Sequence, residues 1–184
     1  MDDSLQIRQA EPDDAEVASV LLYSAYTHTL VPYPLPEADE RGWIDRLQHY
    51  ICQDGNRFSY QNIQVAAHNS TMVGLVLSFG GQDEARINAA VGRWLEREAA
   101  DDEWYIDALA VLEPWTRRGI GAHLLDIAEQ QAHEHHYLKI ALHVATGNIP
   151  AMTLYTHRHY VVTEQTVLYG TPYVRMVKIL KNSA

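Results

Sequence analysis

At 184 residues the chain is long enough for one well-buried core and short for two, so a single domain over residues 1–184 is expected. Hydrophobic residues make up 47% and charged residues 21%, which excludes the disordered class, and no apolar run approaches the roughly 18 residues that cross a bilayer. The formal net charge of -10 argues against a phosphate-tracking, nucleic-acid-binding surface and makes a cationic partner the easier one to accommodate.

The start Met1-Asp2-Asp3-Ser4 lacks the basic and apolar parts of a signal peptide, and the one cysteine, Cys52, forms no internal disulfide. A cytoplasmic protein is therefore expected. The alternation Leu5-Gln6-Ile7-Arg8 reads as a short strand, and Glu11-Pro12-Asp13-Asp14 supplies the acidic, proline-bearing start of a helix through Val17, Val20, Leu21 and Leu22. Three prolines between Val31 and Pro36 stop that helix, and a second one is expected around Trp43, Leu47 and Ile51. Ile63 to Ala67 and Met72 to Leu77, separated by His68-Asn69-Ser70-Thr71, form an antiparallel hairpin.

Residues 80–103 read as an excursion from the sheet. Ile87, Val91, Trp94 and Leu95 at helical spacing predict a charged helix there, with Arg93, Glu96, Arg97 and Glu98 on its wet face. The excursion is a candidate substrate lid. Trp104 to Leu112 returns to strand, Gly121 to His135 to amphipathic helix, and Leu138 to Val144 to strand. That crossover has the length of a βαβ unit, so its two strands are expected to be parallel neighbours. A short helix from Ile149 to about His157 and strands around Val161 to Leu168 and Tyr173 to Leu180 complete a mixed, mostly antiparallel α/β sheet of about seven strands.

Two motifs carry chemistry. In the segment from Leu109 to Leu125 a strand ends, Arg117-Arg118-Gly119-Ile120-Gly121-Ala122 turns, and a helix begins. The free amides of a helix's first turn, its dipole and the absence of Cβ atoms make such a turn an anion site, and two arginines add charge. A dinucleotide turn would need a third glycine where Leu124 stands. Downstream, Asn148, Ala151, Met152 and Tyr155 share one helix face, presenting an amide and a phenol together. Taken singly, they also suit a helix cap and a half-buried structural tyrosine. The run His133-Glu134-His135-His136 lies at a helix C-terminus, where imidazoles are favourable without any metal, so no metal site is assigned.

These motifs resemble the GNAT acetyltransferase superfamily, whose pyrophosphate turn reads Arg/Gln-x-x-Gly-x-Gly/Ala after a strand like Tyr105 to Val111. Its second signature, Asn-x-x-Ala-x-x-Leu-Tyr-x-x-x-Gly-Phe, is similar to Asn148 to Tyr160. The leading Arg or Gln falls on Thr116, and His159-Tyr160 replaces Gly-Phe. The resemblance spans roughly residues 60 to 180. It implies acetyl-CoA in a gap where the strand ending at Val111 splays from the strand around Leu142. Leu109, Ala110 and Val111 would face the pantetheine and thioester, residues 117–122 the pyrophosphate, and Asn148 the coenzyme. It also implies Tyr155 as the acid at sulfur.

Strand alternation sets Tyr105, Asp107, Leu109 and Val111 on one face, making Asp107 the first choice of base for an incoming amine, with Glu103 and His143 in reserve. Tyr26, His28, Tyr33, Glu37, Asp39 and Glu40 are candidate walls for an acceptor amine, whether a small molecule or a peptide. A noncatalytic acyl-CoA-binding module and a structural α/β protein are the other readings, and a homodimer stays open.

Overall fold

The computed structural model describes residues 5–27, 39–92 and 95–180. After strand β1 (Leu5–Gln9), Pro12 opens a short turn closed by a reciprocal cap between Glu11 and Asp14. Helix α1 (Ala15–Thr27) follows and buries Ala15, Ala18, Leu21 and Leu22 at helical spacing. Helix α2 (Glu40–Ile51) begins where the Asp39 carboxylate accepts the Gly42 amide at 2.9 Å, and it buries Leu47 and Ile51. The expected proline segment lies outside the described residues.

The hairpin forms as strands β2 (Ile63–His68) and β3 (Thr71–Gly80). Helix α3 (Glu84–Ala89) is shorter than the predicted charged helix, because the chain leaves the helix before Gly92, whose φ of 146° no L-residue adopts readily. Residues 95–100 are not helical, and Glu98 is not on a wet face: its side chain is 6% exposed. Trp94 and Arg93 lie outside the described residues. This segment is pinned to the end of β3, where Gly81 donates to the Glu103 carbonyl at 2.8 Å. A Cβ on Gly81 would overlap the Ala100 carbonyl, so only glycine allows the approach.

Strand β4 (Trp104–Val111), helix α4 (Ile120–Glu134) and strand β5 (Lys139–Ala145) make the crossover, followed by helix α5 (Ile149–His157) and strands β6 (Val161–Leu168) and β7 (Thr171–Ile179). The seven strands form one sheet in the order β1-β2-β3-β4-β5-β7-β6. Only β4 and β5 are parallel. Helices α1 and α2 pack with Leu75, Leu77 and Phe79 on one face of the sheet, while α4 and α5 pack with Val73 and Val76 on the other. No helix among the described residues is long and apolar enough to cross a membrane.

Two features of β4 decide where a site can form. Its pairing with β5 covers only Trp104, Tyr105 and Ile106, opposite Ile140, Ala141 and Leu142; past Ile106 the strands separate. At the same level β4 bulges against β3, because Ser78 opposes Ile106 and Leu77 opposes Ala108, leaving Asp107 as the extra residue. The bulge overturns the expected alternation. Tyr105 and Ala108 belong to the α1 face, whereas Leu109 and Val111 pack on the α4 face, so Asp107 does not share a face with Leu109.

Candidate active site

β4 runs out through Pro114 and Trp115 into a turn that the Thr116 hydroxyl closes by donating to the Glu113 carbonyl at 2.9 Å. Arg117, at φ 58°, and Gly119, at φ 83°, bend the chain into α4, and Gly119 is its N-cap. The first amide to bond within that helix is His123, to the Gly119 carbonyl at 3.0 Å. The amides of Gly119, Ile120, Gly121 and Ala122 come before it and have no helical acceptor, which is what an anion-binding turn requires. A Cβ built on Gly119 would meet nothing within 4 Å, so the space over the turn is open.

This turn lines one end of a cavity of about 520 Å³ that occupies the gap between β4 and β5. Ala122, Leu154 and Tyr155 line it from one face of the sheet, and Ala25 and Tyr26 from the other. Past Ile106 the edge of β4 toward β5 has no strand partner. The residues fit a long, anionic ligand: an amide-lined anion turn, a strand edge with spare hydrogen-bonding groups, and a phenol further in. Burial pushes the Tyr155 phenol up to about 12, so it keeps its proton.

At the far end lies a buried network. The Arg57 guanidinium, with a side chain 0% exposed, donates from Nη1 to Glu84 Oε1 and Asn88 Oδ1, both at 3.2 Å. From Nη2 it donates to Glu98 Oε2 at 2.8 Å and to Asp107 Oδ1 at 2.5 Å. Tyr26 donates to the other Asp107 oxygen at 2.7 Å, so both carboxylate oxygens of Asp107 are engaged. Glu98 accepts from Tyr105 at 2.8 Å and from Tyr169 at 2.9 Å, and the Tyr105 hydroxyl also lies 2.9 Å from His143 Nδ1. His143 lines the cavity. Burial first, then the charges of Arg175 and Arg57, lower its pKa to about 4, so the imidazole is neutral at pH 7.

Of the residues singled out from sequence, Asp107, Leu109, Val111, Arg117 and Gly119 line this one cavity, together with Gly121, Ala122, Asn148 and Tyr155. Asn148 also caps α5, accepting the Ala151 amide at 3.2 Å. Three do not line it. Ala110 packs toward the α1 face, Ile120 is buried in the α4 core, and the Arg118 guanidinium lies over the Trp115 ring, 4.8 Å from its centroid. Glu103 is fully buried and ion-paired with Arg175, away from the cavity. Asp39 and Glu40 line a separate surface groove between α1 and α2, and His28, Tyr33 and Glu37 lie outside the described residues. Arg57 and the Tyr105 link escaped the sequence reading: Arg57 sits in an aperiodic stretch whose partners are 27 to 50 residues away.

The comparisons with known proteins agree with this geometry. Residues 22–160 match the model of the acetyltransferase (GNAT) family, and the chain belongs to that family. No curated protein matches the chain's sequence. Among solved structures, an N-acetyltransferase from Staphylococcus aureus Mu50 is 24% identical with a TM-score of 0.81, covering 94% of this chain and 100% of its own. PaiA N-acetyltransferase from Thermoplasma acidophilum, in complex with coenzyme A, is 19% identical with a TM-score of 0.65, covering 96% of this chain and 99% of its own. Arabidopsis thaliana Naa50, in complex with a bisubstrate analogue, is 18% identical with a TM-score of 0.60, covering 95% and 98%. These likenesses show the shared fold.

Proposed function

We propose that the protein transfers an acetyl group from acetyl-CoA directly to a primary amine of a small molecule or peptide. One observation carries the reading: a single cavity joins the unpaired amides at the start of α4 to Tyr155 and His143 through the gap past Ile106. The coenzyme would be held by the amides of residues 119–122, by Arg117, by Asn148 and by the free edge of β4, and it supplies an activated acetyl thioester. Arg118 adds charge near the turn from its seat on Trp115.

Tyr155 holds a proton at the inner end of the cavity. A phenol near 12 does not surrender its proton fully to a thiolate whose acid form sits near the ordinary thiol value of about 8.5. Its role is to donate a hydrogen bond to the departing sulfur as charge builds there. The acceptor, too, must lose a proton. Asp107, the first choice from sequence, has both oxygens committed to Arg57 and Tyr26, whereas neutral His143 lines the cavity. The geometry therefore favours His143 as the base and Asp107 as a fixed negative wall. Three carboxylates share the Arg57 guanidinium there, with Arg97 4.0 Å from Glu84, and the net negative balance of the group suits a cationic amine on approach.

A thiol-release assay with acetyl-CoA over a panel of polyamines, amino sugars and peptide N-termini tests the reading. Turnover on at least one class is expected. Coenzyme binding without turnover on any amine would favour the noncatalytic module instead.

A further inference from the structure

The Tyr105 hydroxyl stands between two partners, 2.8 Å from Glu98 Oε2 and 2.9 Å from His143 Nδ1. It has one proton and cannot donate to both. Glu98 Oε2 is also 2.8 Å from Arg57 Nη2, a group that only donates. Burial raises the Glu98 pKa and the Arg57 charge opposes it; with that guanidinium on Oε2, any proton Glu98 takes goes to Oε1, where Tyr169 lies, and Oε2 stays an acceptor. Burial and the Glu98 charge keep the Tyr105 phenol protonated. The arrangement that satisfies every group has Tyr105 donating to Glu98 and His143 Nδ1–H donating to the Tyr105 oxygen. The lone pair of the neutral imidazole then falls on Nε2, which has no hydrogen-bond partner among the described residues, on a ring that lines the cavity.

We propose that Glu98 and Tyr105 are positioning residues that lock His143 in its Nδ1–H form, so that Nε2 is the atom that takes the proton from the acceptor amine. The inference rests on the acetyltransfer reading above and deepens it. Glu98 comes from the segment after α3, Tyr105 from β4 and His143 from β5, so seating that segment is what prepares the base. The relay is second to contact: neither Glu98 nor Tyr105 needs to touch substrate. Its value follows from the general rule that a base held in the wrong tautomer keeps its position and loses its function.

Two measurements on the full chain test it. The first is ¹⁵N–¹H correlation of labelled histidine in the unliganded protein at pH 7, with His143 assigned by its loss in His143→Gln. Protonated Nδ1 and bare Nε2 are expected; a proton on Nε2 overturns the proposal. The second is a set of variants. Glu98→Leu removes the acceptor, so Tyr105 turns to donate to Nδ1 and the imidazole proton moves to Nε2. Turnover should fall on the order of 10²-fold with KM for both substrates within about threefold.

Glu98→Gln keeps an oxygen facing Arg57 and Tyr105 and should retain both the tautomer and most of the turnover. Adding Tyr105→Phe to Glu98→Leu removes the misdirected donor and should recover part of the loss. If Glu98 only supports the fold, the double variant is worse than the single one and Glu98→Gln is impaired like Glu98→Leu; either result overturns the relay. Should Glu98→Leu not fold, the wild-type spectrum and Glu98→Gln still decide. A correct wild-type tautomer in a protein that acetylates no amine would sink the acetyltransfer reading and Nε2's role as base with it, leaving only the tautomer lock, whereas a wrong tautomer in an active acetyltransferase sinks the lock alone.

Discussion

Tyr155 is buried to 7% exposure, with its ring 5.8 Å from that of Tyr160, and it lines the cavity. Tyr155→Phe keeps the ring's packing and removes the hydroxyl, so turnover should fall about 10- to 100-fold while the KM for acetyl-CoA stays within about twofold. Steady-state kinetics would show this. Asp107 makes a different kind of contribution. In Asp107→Asn one amide oxygen still accepts from Arg57 and the amide nitrogen still reaches Tyr26, so the pH profile of turnover should keep its alkaline-rising limb. Asp107→Ala strands part of a buried guanidinium, which costs about 3 kcal/mol, and its Tm should drop by on the order of 10 °C in a thermal melt. A flattened profile in Asp107→Asn would return the base to that carboxylate. His143 has a thermodynamic signature as well. Its folded pKa of about 4 lies below the ordinary 6.5, so between these values the unfolded chain binds more protons than the native one. Stability must therefore rise with pH across that window and be lost as pH falls through it. Denaturant melts of wild type and His143→Gln should diverge between pH 4 and 6.5, with the wild type the steeper of the two.

At the scale of elements, the legible parts were those whose physics is local. The glycine turn before α4 declares itself because the strand end, Arg117 to Ala122 and the amphipathic helix are contiguous, and Pro150 behind Asn148 marks the start of α5 just as directly. The Asp107 bulge is not local: it exists only because β3 has one residue fewer between Leu77 and Ser78, which β4 alone cannot reveal. Arg57 was invisible for the same reason, since its value depends on carboxylates brought to it by three other elements. Glu98 does not take the helical position its spacing suggests, because Gly92, at φ 146°, lies between it and α3. The turn itself offers a clean test. Gly119 is at φ 83°, so Gly119→Ala should cost about 1 kcal/mol of stability from strain. The added methyl stands in the open space over the turn, so acetyl-CoA affinity measured by calorimetry should weaken by more than the change in Tm implies.

For the whole molecule, ligand and fold are linked through mass action. Acetyl-CoA at about 100 times its Kd should stabilise the native state by about 2.7 kcal/mol, which for a chain of this size raises Tm by roughly 5–10 °C. Added salt should diminish the coenzyme's affinity through Arg117 and Arg118 at one end, and slow the approach of a cationic amine to the carboxylates at the other. The gap between β4 and β5 has one more consequence. Because residues from both faces of the sheet line one cavity, donor and acceptor fit against different walls of it, and neither must leave before the other arrives. Initial-rate plots at varied acetyl-CoA and amine should therefore give intersecting lines rather than parallel ones. Spent coenzyme should compete with its own acetylated form and leave the amine's wall untouched.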